Sequence, residues 1–330
     1  MFSAKRSGAF RMIRFLQSRG HRYTVKSAKK AHNAPRISVM NYDALIRGRR
    51  LPHATYLFTD LDRLGFWDLE HVSHLYLEMK NAGLRVLNNP TIARSRYPLL
   101  RALRAAGLND FNVYRVDEMD FIEHFPVFIR KVHGHREPLS DLLQTKEDLS
   151  KAIDAAIAGG MPRENLLIIE FAAEPIRAGV YRKLSAFCIG GAIIPHISVH
   201  DTVWLVKYGR KFDNIEDLYQ EEYALLQNNP YAEHLKKVFQ IAGIEYGRAD
   251  FGIYRGRIQV YEINTNPHVA PECEHPSAMR VASMKLSWEN YLAGLRAIDS
   301  NGGQSIRLGN GNLQQHRPWK NLFARTRKVP

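Results

Sequence analysis

The pattern of apolar and polar positions predicts an alternation of short strands and helices. Residues 54–59 form an apolar run that is typical of a buried strand, residues 69–81 have helical character, and residues 84–87 form a second strand before an Asn-Asn-Pro stop. A strand, a helix and a strand in this order are typical of a parallel crossover unit. We therefore expect such a unit in the first part of the chain.

The same alternation continues through the rest of the chain. A length of 330 residues is enough for two or three packed lobes. The patterns predict a mixed α/β protein, with helices over 91–107, 146–158 and 233–242, strands over 125–131 and 166–171, and a hairpin of 181–189 with 192–197 around a Gly-Gly turn.

A further predicted hairpin, over residues 247–267, carries the most informative chemistry. Folding it about Gly256 places Asp250 opposite Glu262, and Asn264 then points to the same face as Glu262. Two facing carboxylates repel each other, so a cation between them is expected. Carboxylate and amide oxygens suit Mg²⁺ or Mn²⁺. The alternative is a surface hairpin that carries acids, but an apolar run surrounds Glu262 and Asn264.

This hairpin resembles the metal-binding end of the ATP-grasp superfamily, which includes D-alanine–D-alanine ligase, glutathione synthetase and the ribosomal-protein glutamate ligase. The resemblance covers roughly residues 88–270. It implies an ATP-grasp fold of the α/β (α+β) class, in which ATP lies between two antiparallel sheets. The shared pattern R-x-D-F…E-x-N-x-x-P is present here as Arg248, Asp250, Phe251, Glu262, Asn264 and Pro267.

The resemblance also implies a division of the chain. We expect a basic N-terminal arm and a pre-grasp α/β domain over residues 1–90, followed by a first ATP-grasp lobe over 91–168. The second lobe, with the metal site, would cover 169–300, and 301–330 would be a basic flexible tail.

The phosphate-binding cations of the family are matched by arginines. The family strand P-V-x-x-K-P corresponds to residues 126–131, and its lysine falls on Arg130 by register. Strand alternation puts Arg130 and Phe128 on one face and Lys131 on the other, and Lys131 remains the second candidate. An earlier family lysine corresponds to Arg96. Arginine binds phosphate through a planar fork, whereas lysine acts as a point charge.

The hinge and the following strand supply further expected nucleotide contacts. Residues 169–172 resemble the interdomain hinge, where Glu170 would meet the adenine amino group and the backbone at Phe171 would read the adenine edge. A structural, helix-capping role for Glu170 is the alternative. Glu174 is a candidate ribose contact. In the next strand Lys183 is expected to replace an arginine that many members carry.

The reaction implied by the resemblance is ATP-dependent ligation. A substrate carboxylate would form an acylphosphate, and an amine would then displace phosphate to give an amide. Two Mg²⁺ or Mn²⁺ ions on Asp250, Glu262 and Asn264 would offset phosphate charge, and Arg248 would bind the acylphosphate and the oxyanion, with Lys183 beside it. Two alternatives stay open, a non-catalytic nucleotide-binding ATP-grasp protein and an ATP-grasp kinase.

Five residues between the predicted strands are candidates for the pocket that binds the acceptor substrate. A core or surface role is the alternative for most of them, because they match no family motif. The candidates are His196, His200, Asp201, Trp204 and Lys207.

The net charge of +14 belongs to the two ends of the chain. Ten Lys or Arg precede Asp43, the first acidic residue, and six follow Asp299, the last one. The part between them is nearly neutral. The basic ends could bind nucleic acid or an acidic protein, and solvated tails are the alternative.

Composition also bears on location. The chain has no run of about 18 apolar residues, so no transmembrane helix is expected. Two cysteines, Cys188 and Cys273, indicate neither a disulfide framework nor a zinc site, which favours a reducing cytoplasm. The acid-free first 35 residues also fit a mitochondrial transit peptide. Residues 11–20 equally fit a helix, followed by a strand over 22–25.

Overall fold

The computed structural model describes residues 12–48, 50–134, 137–207, 209–210, 212, 215–269, 271, 274–300 and 302–308. Its elements alternate along the chain, and no helix within these ranges is long and apolar enough to cross a membrane. In chain order they are β1 (Ile13–Gln17), α1 (Lys26–Lys30), β2 (Ile37–Asn41), α2 (Tyr42–Arg47), β3 (Arg50–Leu51), β4 (Thr55–Phe58), α3 (Phe66–Asn81), β5 (Arg85–Leu87), α4 (Arg96–Ala105), β6 (Val113–Tyr114), β7 (Val127–Lys131), α5 (Lys146–Ala158), β8 (Leu166–Glu170), β9 (Tyr181–Ile189), β10 (Ala192–Asp201), α6 (Glu216–Asn228), α7 (Ala232–Ala242), β11 (Tyr246–Tyr254), β12 (Arg257–Asn264), α8 (Ala278–Ala297) and β13 (Ile306–Arg307).

The first sheet is parallel and has the strand order β2-β1-β4-β5. The crossover predicted from β4 through α3 to β5 is confirmed, since Thr55 pairs with Arg85 in parallel register. Side chains of β1 alternate between two cores, with Phe15 in one and Leu16 in the other. Burial on both faces is typical of a parallel sheet that is covered by helices on each side.

The helix predicted over residues 11–20 is wrong, because this segment contains the inner strand β1. Its short apolar run fits both a buried strand and one side of a helix, and periodicity alone does not separate the two. The strand predicted over 22–25 is also wrong. Those residues form a turn that leads into α1.

Two larger antiparallel sheets and the two-stranded sheet β13-β3 are the other sheets of the described residues, and the predicted mixed α/β class is confirmed. The smaller sheet, β6-β8-β7, packs against α5, with Ile129 and Ile153 in its core. The larger sheet, β10-β9-β11-β12, packs one face against α4 and α7, with Leu103, Phe239 and Phe251 in contact.

The hairpin of β11 and β12 has the predicted pairing for a reason that the sequence pattern did not reveal. Its turn is the two-residue Arg255-Gly256, with φ of 50° and 72°, as a type I′ turn requires. This turn alone would place Glu262 opposite Ala249. A β-bulge between the pairs Asp250↔Glu262 and Phe251↔Val260 shifts the register by one residue. The extra residue is Tyr261, and Asp250 faces Glu262 as predicted.

The flexible tail predicted from residue 301 is wrong for residues 302–308. There β13 pairs antiparallel with β3, Ile306 opposite Leu51, and Leu308 is buried in the core of the first sheet. Residues 302–308 pack against the body because burying the apolar side chains of Ile306 and Leu308 is favourable. The basic segments 1–11 and 309–330, and Cys273, lie outside the described residues.

Candidate active site

A cavity of about 390 Å³ lies where the three larger sheets meet. The segments that follow β1 and β4 form one end of it. Strands β7 and β8 and the segment after β10 form a second, apolar end. Strands β9, β11 and β12 form a charged floor between the two ends. The bulge at Tyr261 matters here, because it lets the consecutive residues Tyr261 and Glu262 both line the cavity.

The apolar end is built from aromatic rings. The Phe128 and Trp204 ring centroids are 5.0 Å apart, and Phe171 meets Trp204 edge-on at 5.5 Å. Ile169 and Tyr261 complete this wall, and the Tyr261 hydroxyl donates a hydrogen bond to the Ala172 carbonyl at 3.1 Å. Such an apolar end with nearby backbone groups suits a flat heteroaromatic ring.

Glu170 belongs to the cavity wall, and its carboxylate oxygens are hydrogen-bonded within the protein. It is 2% exposed and accepts hydrogen bonds from the Tyr114 hydroxyl at 2.8 Å and from the backbone N–H groups of Asn112, Glu123 and His124. These contacts satisfy a buried charge and join β8 to the segment before β7. These contacts give Glu170 a structural role, and its contact with an adenine amino group stays a prediction.

Glu174 also has a structural contact in this state. Its carboxylate accepts a hydrogen bond from the N–H of Arg255 at 2.9 Å, at the turn of the β11–β12 hairpin. The side chain still belongs to the cavity wall, as does Phe171. The tip of the hairpin is thus tied to the segment that follows the aromatic end, and a ribose contact for Glu174 stays a prediction.

On the charged floor, Asp250 is paired with two cations. Lys183 Nζ lies 3.2 Å from Asp250 Oδ2, and Arg248 Nε donates to Oδ1 at 2.9 Å. All three side chains line the cavity, as their positions on one face of β9 and β11 predict. Asp250 is 5% exposed, so this pairing compensates for its burial.

Glu262 is held in the same way by two arginines. Arg130 Nη2 lies 3.3 Å from Glu262 Oε2, and Arg96 donates to the same oxygen. Arg130 and Phe128 both line the cavity, as strand alternation predicts, whereas Lys131 is not among the described lining residues. Burial lowers the pKa of the Arg130 guanidinium from its ordinary value, and Glu262 opposes that shift.

Arg96 is not a wall of this cavity, contrary to its expected role as a phosphate ligand. Its guanidinium donates to the carbonyls of Lys131 at 2.8 Å and Gly134 at 2.9 Å, and it lines a second cavity of about 400 Å³ behind Glu262. Arg96 therefore ties the segment after β7 to β12, and it positions Glu262 without lining the first cavity.

The donor set fits a magnesium ion that is shared with phosphate. The described residues contain no group of three His, Cys, Asp or Glu side chains that could hold a metal alone. Asp250 and Glu262 face each other across the hairpin. The side-chain oxygen of Asn264 accepts a hydrogen bond from the N–H of Asn266 at 2.8 Å. Two carboxylates and one amide oxygen suit Mg²⁺ when phosphate and water supply the remaining ligands.

The candidates for the acceptor pocket divide into two groups. Trp204 and Lys207 line the cavity. Away from the described cavity wall, His196 contacts the Ser287 hydroxyl at 2.6 Å, His200 is buried, and Asp201 pairs with Arg210 at 3.1 Å. The core or surface alternative therefore describes these last three better.

The end of the cavity that the segments after β1 and β4 form was missed by sequence reasoning. Its wall includes His21 and Tyr23 after β1, Asp60 and Arg63 after β4, and His268 after β12. One signal was present in the sequence, since Asp60 directly follows the apolar run of 54–59. The carboxyl end of a parallel strand is a common place for a binding site.

No family model matches the sequence, and no curated protein matches it. Solved structures similar to this one include D-alanine–D-alanine ligase from Bacillus anthracis complexed with ATP, at 13% identity and a TM-score of 0.47, covering 88% of this chain and 98% of that one.

Two other solved structures are similar to a comparable degree. The ATP-grasp ligase PsnB, complexed with a phosphomimetic variant of its minimal precursor, Mg and ADP, is 13% identical at a TM-score of 0.49, covering 87% of this chain and 96% of that one. An L-amino acid ligase from Bacillus licheniformis is 10% identical at 0.46, covering 87% and 76%.

Proposed function

We propose that this protein is an ATP-dependent carboxylate–amine ligase of the ATP-grasp type. The observation that carries the proposal is a single cavity with an aromatic end and a cationic floor around Asp250 and Glu262. A nucleoside triphosphate matches this cavity, because its flat base suits the aromatic end and its negatively charged phosphates suit the cationic floor. The further end, at His21 and Asp60, leaves room for a second substrate.

The charge of the floor supports this proposal. Four cations surround two carboxylates, so the cluster keeps a net positive charge. A magnesium–nucleotide complex is negative overall and would balance it. The cations would turn from the carboxylates to phosphate oxygens, and the carboxylates would then be available to a metal. The cations that line the cavity and would turn in this way are Arg130, Lys183 and Arg248, whereas Arg96 holds Glu262 from behind.

The proposed roles follow from position. The base would pack among Phe128, Phe171 and Trp204. Arg130 and Lys183 would bind phosphate oxygens. Arg248 lies beside Asp250 and would bind the phosphoryl group in transfer and then the oxyanion of the attacked carbonyl.

Metal binding is proposed on the fit of the donor set. Asp250, Glu262 and Asn264 would hold Mg²⁺, which would offset phosphate charge and polarise the transferred group. That two ions bind stays a prediction. So does the division into lobes near residues 90 and 168.

Calorimetric titration with ATP tests the binding part of the proposal. We expect Mg²⁺-dependent binding that Glu262→Gln weakens, since the amide cannot replace the charge of the carboxylate. Glu233→Gln, at an exposed position of α7, is the matched control and should bind as the unmodified chain does. Equal affinity with EDTA present would contradict the metal assignment.

ADP release tests the reaction. Each standard amino acid is supplied as the carboxylate, with and without a second amino acid as the amine. A ligase releases ADP only when both are present and forms a dipeptide. ADP release with a carboxylate alone and a stable phosphorylated product would indicate a kinase. Tight ATP binding without any turnover would indicate the non-catalytic alternative.

A further inference from the structure

His21 and Asp60 form a hydrogen-bonded pair at the end of the cavity that lies after β1 and β4. His21 Nδ1 lies 3.0 Å from Asp60 Oδ1. The two residues come from different strands, since His21 follows β1 and Asp60 follows β4. The side chain of His21 is 20% exposed in the cavity wall, whereas that of Asp60 is 4% exposed. The pair therefore has a buried acid behind an accessible imidazole.

The carboxylate determines which nitrogen of His21 carries the proton. An ionised carboxylate only accepts hydrogen bonds, so the neutral imidazole donates from Nδ1. Its Nε2 then has a free lone pair. Among the described residues, no hydrogen-bond partner contacts Nε2. This atom is also absent from the buried polar atoms that lack a partner, so it is accessible. His21 thus presents an accessible basic nitrogen to the cavity.

Asp60 is fixed in place by more contacts than the pairing with His21. Its Oδ2 accepts from the Ser18 N–H, the Ser18 hydroxyl and Asn266 Nδ2, each at 2.9 Å. Its backbone has φ of 55°, a left-handed conformation that few residues other than glycine adopt. A buried carboxylate held in a costly conformation is more typical of a functional site than of a simple packing position.

The pair lies next to the charged floor. Asn266 donates from its side chain to Asp60 and from its backbone to the side chain of Asn264, at 2.9 and 2.8 Å. Asn264 is paired with Arg248 across the hairpin. Two hydrogen bonds therefore link Asp60 to the part of the floor where the acyl group would react.

From this geometry we propose that His21 is the general base of the second half-reaction, a role that rests on the proposed ligation. The neutral amine attacks the carbonyl carbon of the acylphosphate, and a C–N bond forms. His21 Nε2 takes a proton from the amine nitrogen. The C–O bond to phosphate then breaks, and inorganic phosphate leaves with the electron pair. Asp60 is a positioning residue that stabilises the imidazolium.

The charged and titratable groups near His21 fit this role. Asp60 is in direct contact, and Arg63 Nε lies 3.8 Å from Asp60 Oδ1. The ring of Tyr23 lies edge-on to His21 at 5.9 Å, and His268 lies 6.0 Å from Tyr23. The direct contact is the acid, which holds the His21 ring through Nδ1.

Nitrogen NMR of the full chain tests the pair without any substrate. In ¹⁵N-labelled protein, the signals lost in His21→Gln identify the ring of His21. We expect the neutral ring to carry its proton on Nδ1, with Nε2 unprotonated. In Asp60→Asn an amide can donate to the ring, so this preference should be lost. A ring that carries its proton on Nε2 in the unmodified chain overturns the proposal.

Hydroxylamine provides the matching kinetic test. It traps acylphosphates and, as a weakly basic nucleophile that is neutral at pH 7, needs no general base. With ATP and amino acids, His21→Gln should lose about 100-fold in dipeptide formation, within the usual range for general bases, and keep its hydroxamate yield. His32→Gln, at an exposed position, should keep both.

The outcomes separate the two proposals. Equal loss of dipeptide and hydroxamate in His21→Gln, or no loss of dipeptide, overturns the role of His21. If the unmodified chain gives neither product with any amino acid, ligation of amino acids is refuted. The NMR result then decides whether the pair has the basic nitrogen that we infer. Melting temperatures of the variants show whether each is folded.

Discussion

Arg96 donates a hydrogen bond to the carboxylate of Glu262 and, from the same guanidinium, to the carbonyls of Lys131 and Gly134. One side chain thus joins the hairpin that carries the candidate metal ligands to the segment after the candidate phosphate strand. It is 8% exposed, so its charge depends on these contacts. Glu262 keeps its orientation toward the cavity partly because Arg96 holds it from behind.

We expect Arg96→Ala to reduce the free energy of unfolding by about 3 kcal/mol, because it removes a buried guanidinium from its contacts and leaves the half-buried Glu262 carboxylate with one cation fewer. Arg96→Lys should cost less, since an ammonium can still pair with Glu262 but cannot reach the carbonyls at the same time. Urea denaturation measures both. Arg101→Ala, at an exposed position of the same helix, is the control and should change stability by less than about 0.5 kcal/mol. Equal stability of all three variants would contradict this account.

A second prediction compares Arg130 with its neighbour. Arg130 lines the cavity and pairs with Glu262, whereas Lys131 is not among the described lining residues. Arg130→Ala should therefore weaken ATP binding about tenfold or more, as loss of a charge-assisted contact does, and Lys131→Ala should change it little. Calorimetric titration on both variants measures this difference. The reverse order would transfer the phosphate-binding role to Lys131.

A third prediction concerns Arg248, which donates to Asp250 at 2.9 Å. If its guanidinium also stabilises the charge that develops in the reaction, Arg248→Ala should reduce kcat by about two to three orders of magnitude and change ATP affinity much less. An arginine that only steadies the hairpin would give a lower melting temperature with an unchanged rate for each folded molecule. Melting temperature and turnover measured on one preparation distinguish the two cases.

The hairpin shows how much of the site was predictable. Strand alternation and the spacing of Asp250, Glu262 and Asn264 were enough to place these side chains on one face. The same reasoning assumed a turn centred on Gly256, and the pairing holds only because a bulge at Tyr261 compensates for the shorter turn. A bulge depends on the local fit of two strands, which a single sequence does not encode in a simple spacing.

Other residues of the site take their positions from contacts between segments that are distant in the sequence, which the sequence pattern did not predict. Glu170 resembled a hinge residue, but the donors that surround it come from residues 112–124. His21 and Asp60 are 39 positions apart and meet because β1 and β4 are neighbours in a parallel sheet. Since β1 was interpreted as part of a helix, no strand neighbour was available to bring His21 to the site.

The C-terminal segment gives a fourth prediction. Leu308 is 4% exposed within the core of the first sheet, next to the pairing of β13 with β3. Leu308→Ala should lower the free energy of unfolding by about 2–5 kcal/mol, as buried leucines do. Arg307→Ala, at the adjacent exposed position, should change it by less than about 0.5 kcal/mol. Similar values for the two variants would mean that this segment adds nothing to the fold.

The last prediction concerns pH. Burial, together with the charges of Arg182, Arg280 and Arg177 and against that of Asp217, lowers the pKa of His200 to about 4. In the unfolded chain a histidine pKa is about 6.5, so the unfolded state binds this proton first as the pH falls. The free energy of unfolding is therefore unaffected by His200 above about pH 6.5, and it decreases as the pH falls from that value to about 4. At pH 5 this histidine alone should cost about 2 kcal/mol relative to pH 7. Urea denaturation at both values should show a smaller difference for His200→Gln than for the unmodified chain. An equal difference would show that His200 protonates as readily in the folded protein as in the unfolded one.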